Sequence, residues 1–320
     1  MTLSKRFVIY SLSILIVSIS VVCASAQSTG LRLPRPSQKA SVMQTVGVTD
    51  ITVTYSRPGV KGRTIWAEPP ADKTGEATLD DSTNRAKDVP IVFYGHVWRT
   101  GANEATQFVV TDDVLINGQK LAAGAYSLHT IPGKDEWTIV FNGTANQWGS
   151  FNYDPKNDTL RVKAKPQTVA DNQEWMLFTI DPVTDNSATV NIRWEKVRVP
   201  FTVEVKDVAA ATMQHARDAV AAAKPDDWRT PYQAAMFAST NKSTEDANRW
   251  FDQSLKALDT SIASKETFQN LSAKTQVLIG AGRKDEALLV ADKAVARGKA
   301  DKVDTAAFEK RIADIRSGKM

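Results

Sequence analysis

The hydrophobic period of this 320-residue chain changes once, near residue 205, and that change limits the folds open to it. From about residue 40 onward, apolar and polar residues alternate. Ile51, Val53 and Tyr55 interleave with Thr52, Thr54 and Ser56, and Trp137, Ile139 and Phe141 with Thr138, Val140 and Asn142. Val190, Ile192 and Trp194 do the same with Asn191, Arg193 and Glu195. A period of two marks strands with one face buried and one wet. Asn117-Gly118 is a hairpin dipeptide, and Pro132-Gly133 and Asn142-Gly143 end strands. The pattern predicts roughly nine or ten short strands in an antiparallel β-sandwich or barrel-like domain. Glu174 to Ile180 is nearly continuous apolar sequence and is expected to hold a central position.

After Val205 the period becomes helical. Lys206 to Lys224 is alanine-rich, lacks glycine and proline, and reads as a connecting helix over 206–224 that ends near Pro225. Over 225–320 two stretches match each other forty positions apart. Ala247, Trp250, Phe251 and Ser254 share their spacing with Ala287, Val290, Ala291 and Ala294. Each stretch follows a short turn, Asn241-Lys242-Ser243 or Ala281-Gly282-Arg283, and an apolar helix precedes each turn. "AGRKDEALLVADKAVARG" resembles the second half of a tetratricopeptide helix pair, although the forty-residue offset exceeds the usual ~34. A plain helical bundle is the alternative. The last helix, Thr305 to Arg316, is expected to cap the open apolar face.

At the amino end, Lys5 and Arg6 precede an apolar run from Phe7 to Val22, followed by Ala24-Ser25-Ala26. These are the three parts of a cleaved signal peptide, here 1–26, with Gln27 as the first mature residue. The run spans about 16 residues, fewer than the ~20 of a spanning helix. The expectation is an exported protein, periplasmic or extracellular, with no membrane span after cleavage. Cleavage removes the single cysteine, Cys23, and with it any thiolate nucleophile, thiolate metal site or disulfide. The whole chain carries 40 basic and 36 acidic side chains, a balance that speaks against a nucleic-acid partner.

A polar stretch, Ala67 to Pro90, interrupts the strand pattern. A loop of that length is either a functional lid or an unstructured insertion, and its low apolar content favours the insertion. Polar motifs flank it: Tyr55-Ser56-Arg57-Pro58-Gly59-Val60-Lys61-Gly62-Arg63 on one side, and Val97-Trp98-Arg99-Thr100-Gly101-Ala102-Asn103-Glu104-Ala105-Thr106 on the other. With the Leu121 to Pro132 stretch, the Trp137 strand and the Trp148-Gly149 to Tyr153 turn, they resemble an exported bacterial family classed as a domain of unknown function, number 2911. The resemblance spans about residues 34–205. It implies a β-rich exported domain, often with a helical repeat tail, and no activity.

The candidate ligand-binding residues are Arg57, Arg63, Trp98, Arg99, Asn103, Glu104 and His129. The arginines offer planar donor forks for carboxylate or phosphate oxygens, and Trp98 offers a flat platform for a sugar ring. Catalytic candidates are Glu104 and His96, as acid or base. The same turn could equally pin two sheets together through a buried Arg–Glu pair. His96, His129 and Glu104 lack the short-range spacing of a metal site, so no metal or cofactor is assigned. Two functions stay open. One is an envelope binding protein, whose β-domain takes a small anionic or sugar ligand and whose tail takes a protein or peptide. The other is an envelope hydrolase or lyase, with Glu104 or His96 as acid/base and Arg57, Arg63 and Arg99 orienting an anion.

Overall fold

Alternating burial sorts the first half of the chain into strands with one dry face each. The computed structural model describes residues 33–80 and 89–319, so the expected signal peptide, its cleavage site and Cys23 lie outside the described residues. The strands are β1 (Gln38–Val46), β2 (Thr49–Arg57), β3 (Trp66–Ala67), β4 (Val92–Phe93), β5 (Thr106–Val110) and β6 (Val114–Ile116). They continue with β7 (Gln119–Leu121), β8 (Gly124–Ile131), β9 (Trp137–Asn142), β10 (Asp158–Ala164), β11 (Gln167–Val183) and β12 (Ser187–Glu204). One sheet has the order β1-β2-β5-β8-β9-β10, the second β11-β12-β6-β7, and β3 and β4 form a small parallel pair. Pairing within the two larger sheets is antiparallel throughout.

The core between the sheets is built from the alternating residues, with Ile51, Val53, Phe108, Ile139, Phe141, Val190 and Ile192 all at most 2% exposed. Four tryptophans gather in this core. Trp66 stands edge-on to Trp98, Trp137 and Trp194 at 5.8, 5.1 and 5.8 Å, and Trp98 stacks on Trp194 at 5.8 Å. Asn117 and Gly118 turn the β6–β7 hairpin with φ of 46° and 82°, the left-handed pair that a two-residue hairpin demands.

Two expectations about the strands need correction. β11, which contains Glu174 to Ile180, is an edge strand rather than a central one. Its outer edge is shielded by the turn after β2: Val60 N donates to Glu174 O at 2.8 Å and Met176 N to Pro58 O at 2.9 Å. Its apolar sequence at an edge comes from Met176, Phe178 and Ile180, which face the core. The 67–90 insertion is not simply unstructured either. Val97 N donates to Glu76 O, and the carboxylates of Glu76 and Asp80 pair with Arg161 and Arg99, so Glu76–Asp80 is stitched to the sandwich. Residues 81–88 lie outside the description.

Asp207 then caps α1 (Val208–Ala222), its side chain accepting from Ala210 N. His215 of α1 places its Nε2 2.7 Å from Asp112 Oδ1 in the turn before β6, which ties the helix to the sandwich. There follow α2 (Arg229–Thr240), α3 (Thr244–Ser264), α4 (Phe268–Gly280), α5 (Lys284–Ala300) and α6 (Ala306–Arg316). The forty-residue repeat is real in three dimensions. Asn241, Lys242 and Ser243 N–H groups donate to Phe237, Ser239 and Ala238, and Ala281, Gly282 and Arg283 donate to the equivalent Val277, Ile279 and Leu278. Ala247, Trp250, Phe251 and Ser254 are buried, as are Ala287, Ala291 and Ala294. Ile312 and Ile315 of α6 close that apolar face over Ala291.

Candidate functional site

The sequence candidates divide into two groups with different partners. Arg57 leaves the end of β2 and donates through Nε to Met176 O at 2.8 Å. Arg63 turns back on its own loop, donating to Val60 O at 3.2 Å and Gly59 O at 2.6 Å. Tyr55 Oη accepts from Phe178 N at 3.0 Å, and Lys61 N donates to Glu174 Oε1 at 2.8 Å. The whole Tyr55–Arg63 motif is therefore a seam between β2 and β11. Its guanidinium groups are spent on main-chain carbonyls rather than held open for an anion.

Trp98 is no platform either. At 3% exposure it belongs to the tryptophan cluster, with its backbone paired to Thr130 in both directions. His96 is also buried, its Nδ1 lying 2.8 Å from Ala77 O of the insertion.

The second group forms around the turn after Trp98. Arg99 donates through Nε to Asp80 Oδ2 at 2.9 Å and through Nη1 to Asn103 O at 2.9 Å, and lies over the Phe151 ring at 5.5 Å. Ser150 Oγ donates to the same Asp80 Oδ2 at 2.7 Å and lies 3.4 Å from His129 Nδ1, whose Nε2 is 3.2 Å from Ser127 Oγ. His129 is fully buried, and burial lowers its pKa from 6.5 to about 4 even though Asp80 and Asp158 oppose the shift. The imidazole is thus neutral near pH 7, enclosed by two hydroxyls, and suited to scaffolding more than to proton transfer with solvent. Asn103 Nδ2 donates to Ser37 O at 3.0 Å. Among the described residues no three His, Asp or Glu side chains converge in a metal-ligand arrangement.

The turn itself is held in an unusual backbone. Thr100 has φ of 52° and Asn103 of 61°, and a β-branched residue in the left-handed region is strained by about 1–3 kcal/mol. Hydrogen bonds from Thr100 Oγ1 to Thr130 Oγ1 (3.0 Å) and from Thr106 Oγ1 to Thr100 O (2.6 Å) hold it there. Gly101 fits because a Cβ would stand 3.0 Å from Ser56 O. The strain sets Glu104 and Ala105 against the next loop: Glu104 bridges Trp148, and Ala105 N donates to Gln147 O at 3.0 Å.

Among the sequence candidates, Glu104 lines an open recess. A hollow of about 300 Å³ lies beside it, bounded by Lys39, Gln107, Asn146, Gln147 and Trp148, with Thr54 and Ser56 of β2 also lining it. The volume is at the small end of ligand sites. Trp148 is 51% exposed, unlike Trp98. Gln107 Nε2 donates to Asn146 Oδ1 at 3.0 Å, leaving amide groups of both signs at the rim. Gln147 spends its Nε2 on Ser127 Oγ and Thr144 O, while its buried Oε1 has no donor among the described residues.

A family model described as "Protein of unknown function (DUF2911)" matches residues 37–203, just over half of the chain. The chain belongs to the DUF2911 family. The matched DUF2911 region begins one residue before β1 and ends inside β12, so it takes in both sheets, the seam and the recess but none of the helices. No curated protein and no solved structure matches the chain.

Sequence reasoning missed Asp80, Ser127, Ser150 and the recess residues around Trp148. Trp148-Gly149 stood in a motif of the family resemblance, and its place in a polar turn was the one signal that could have marked it as the exposed tryptophan.

Proposed function

We propose that the protein is an exported binding protein of the cell envelope, whose DUF2911 region takes a neutral sugar in the recess at Trp148. The observation that carries this reading is a half-exposed indole standing beside amide groups of both hydrogen-bonding senses. An aromatic face covers the apolar side of a sugar ring, while hydroxyls exchange hydrogen bonds with amides. Lys39 and Glu104 give the recess one charge of each sign, and the arginines that suggested an anion are committed elsewhere. The helical tail serves a protein or peptide partner.

The hydrolase reading has less support, because His96 is buried against Ala77 O and the three arginines share no open site. Calorimetric titration of the full chain with chitotetraose and cellotetraose tests the proposal. Binding of either that disappears in Trp148→Ala, with an unchanged melting temperature, is the expected result. Failure of both sugars to bind, or binding that survives in Trp148→Ala, overturns it.

A further inference from the structure

The helices of the tail differ in length: α3 has 21 residues against 12 in α2 and 13 in α4. The start of α2 lies level with Ser254, whose Oγ donates to Trp228 O at 2.8 Å, so the carboxyl end of α3 runs on past α2 by about 15 Å while α4 packs along it. The overhang walls a groove of about 1040 Å³, with Lys256 and Gln253 of α3 on one side, Lys224 of the α1–α2 connection and Arg229 at the start of α2 on another, and Lys265 and Gln269 towards α4. A shallower hollow of about 520 Å³ continues it past Trp228 and Gln269 to Tyr232, Phe308 and Arg311.

The groove is basic on balance, with Lys224, Arg229, Lys256 and Lys265 set against Asp226 and Asp227. Lys224, Lys256 and Lys265 are exposed and have no ion-pair partner among the described residues, while Arg229 lies over the Trp228 ring at 4.8 Å and acts on the nearby Asp227 carboxylate. Arg217, Arg249, Lys274, Arg283, Arg297 and Arg316 are held in ion pairs, whereas Lys242, Lys284, Lys293 and Lys302 are exposed single lysines scattered outside any groove of this size. Of the two groove acids, Asp227 is spent on α2, accepting from Arg229 N, Thr230 N and Thr230 Oγ1. The start of α4 is capped by Thr267 and Asn270, so the attraction for an anion comes from side chains rather than from helix ends. Gln253 and Gln269 offer amide groups without partners among the described residues, which suit a peptide main chain.

We propose that this groove binds an extended acidic peptide segment of a partner protein. The proposal rests on the reading of the tail as a partner-binding region and names the partner's chemistry. Unpaired lysines facing a carboxylate-rich segment give electrostatic complementarity that salt weakens.

Fluorescence polarisation on the full chain tests it, using a labelled twelve-residue peptide of alternating Glu and Ser, the same peptide with Gln for Glu, and polygalacturonate as competitor. The Glu peptide is expected to bind, to lose at least tenfold in affinity in a Lys256→Glu/Lys265→Glu double variant, and to be unaffected by Lys293→Glu, an exposed site outside the groove. Equal binding by the double variant overturns the site. Equal binding of the Gln peptide overturns the acidic assignment alone, and preferential capture of polygalacturonate overturns the peptide assignment. If neither peptide binds, this proposal falls; binding of a Lys/Ser peptide by the same chain would then keep the wider reading of the tail, and the sugar recess stands or falls by its own titration.

Discussion

Arg99 Nε donates to Asp80 Oδ2 at 2.9 Å, with the two side chains only 13% and 8% exposed. This pair joins the insertion to the turn that carries Glu104, and Ser150 Oγ shares the same carboxylate oxygen. Removing one partner of a buried pair leaves the other charge uncompensated. Asp80→Ala is expected to cost about 3 kcal/mol in urea unfolding. A loss under about 1 kcal/mol, the range of an exposed pair, would show that solvent already screens Arg99.

The two tryptophans considered for ligand contact should behave oppositely. Trp98→Ala empties a place among Trp66, Trp137 and Trp194 and is expected to cost about 3–5 kcal/mol. Trp148→Ala, at a half-exposed site, should stay within about 1 kcal/mol of the parent. Chemical denaturation of both variants checks the contrast, which vanishes if the core assignment of Trp98 is mistaken.

His129 makes stability depend on pH. Its folded pKa of about 4 lies below the ordinary 6.5, so the unfolded chain binds a proton that the folded chain refuses between those values. The stabilisation is complete above pH 6.5 and is lost as pH falls towards 4, roughly 3 kcal/mol in all. Melting curves across this window should fall more steeply for the parent than for His129→Gln. Parallel curves would remove His129 as the cause.

Gly298 in α5 reverses the usual helix rule. Alanine in place of glycine ordinarily stabilises a helix by about 1 kcal/mol. Here a Cβ would run into Thr305 Cγ2 and stand 3.1 Å from Phe268 Cδ2. Gly298→Ala is therefore expected to lower the melting temperature, and a rise would mean that Thr305 yields easily.

What the sequence made legible was periodic or local. The alternation at Ile51, Trp137 and Val190 located buried strand faces, and the forty-residue offset of Ala247 and Ala287 located two helix turns with the same hydrogen bonds. What stayed hidden depends on partners distant in the chain. A Trp-Arg-Thr-Gly turn reads alike whether its indole faces solvent or three other tryptophans, and only the packing of Trp66, Trp137 and Trp194 decides. Asp80 sits in a polar stretch with no local feature that marks it as the acceptor for Arg99 and Ser150. The edge position of β11 was masked because Met176, Phe178 and Ile180 face the core, while its outer backbone groups are paired by Pro58 and Val60 more than a hundred residues earlier.

That shielding gives the Tyr55–Arg63 motif a task unrelated to ligands. A long strand with free N–H and C=O groups along one side is a template on which other chains can grow. By clasping Glu174 to Phe178 with its own backbone, tyrosine hydroxyl and guanidinium, the motif plugs that template. Damage to the clasp should therefore surface first as self-association of an otherwise folded protein, before any loss of the fold itself.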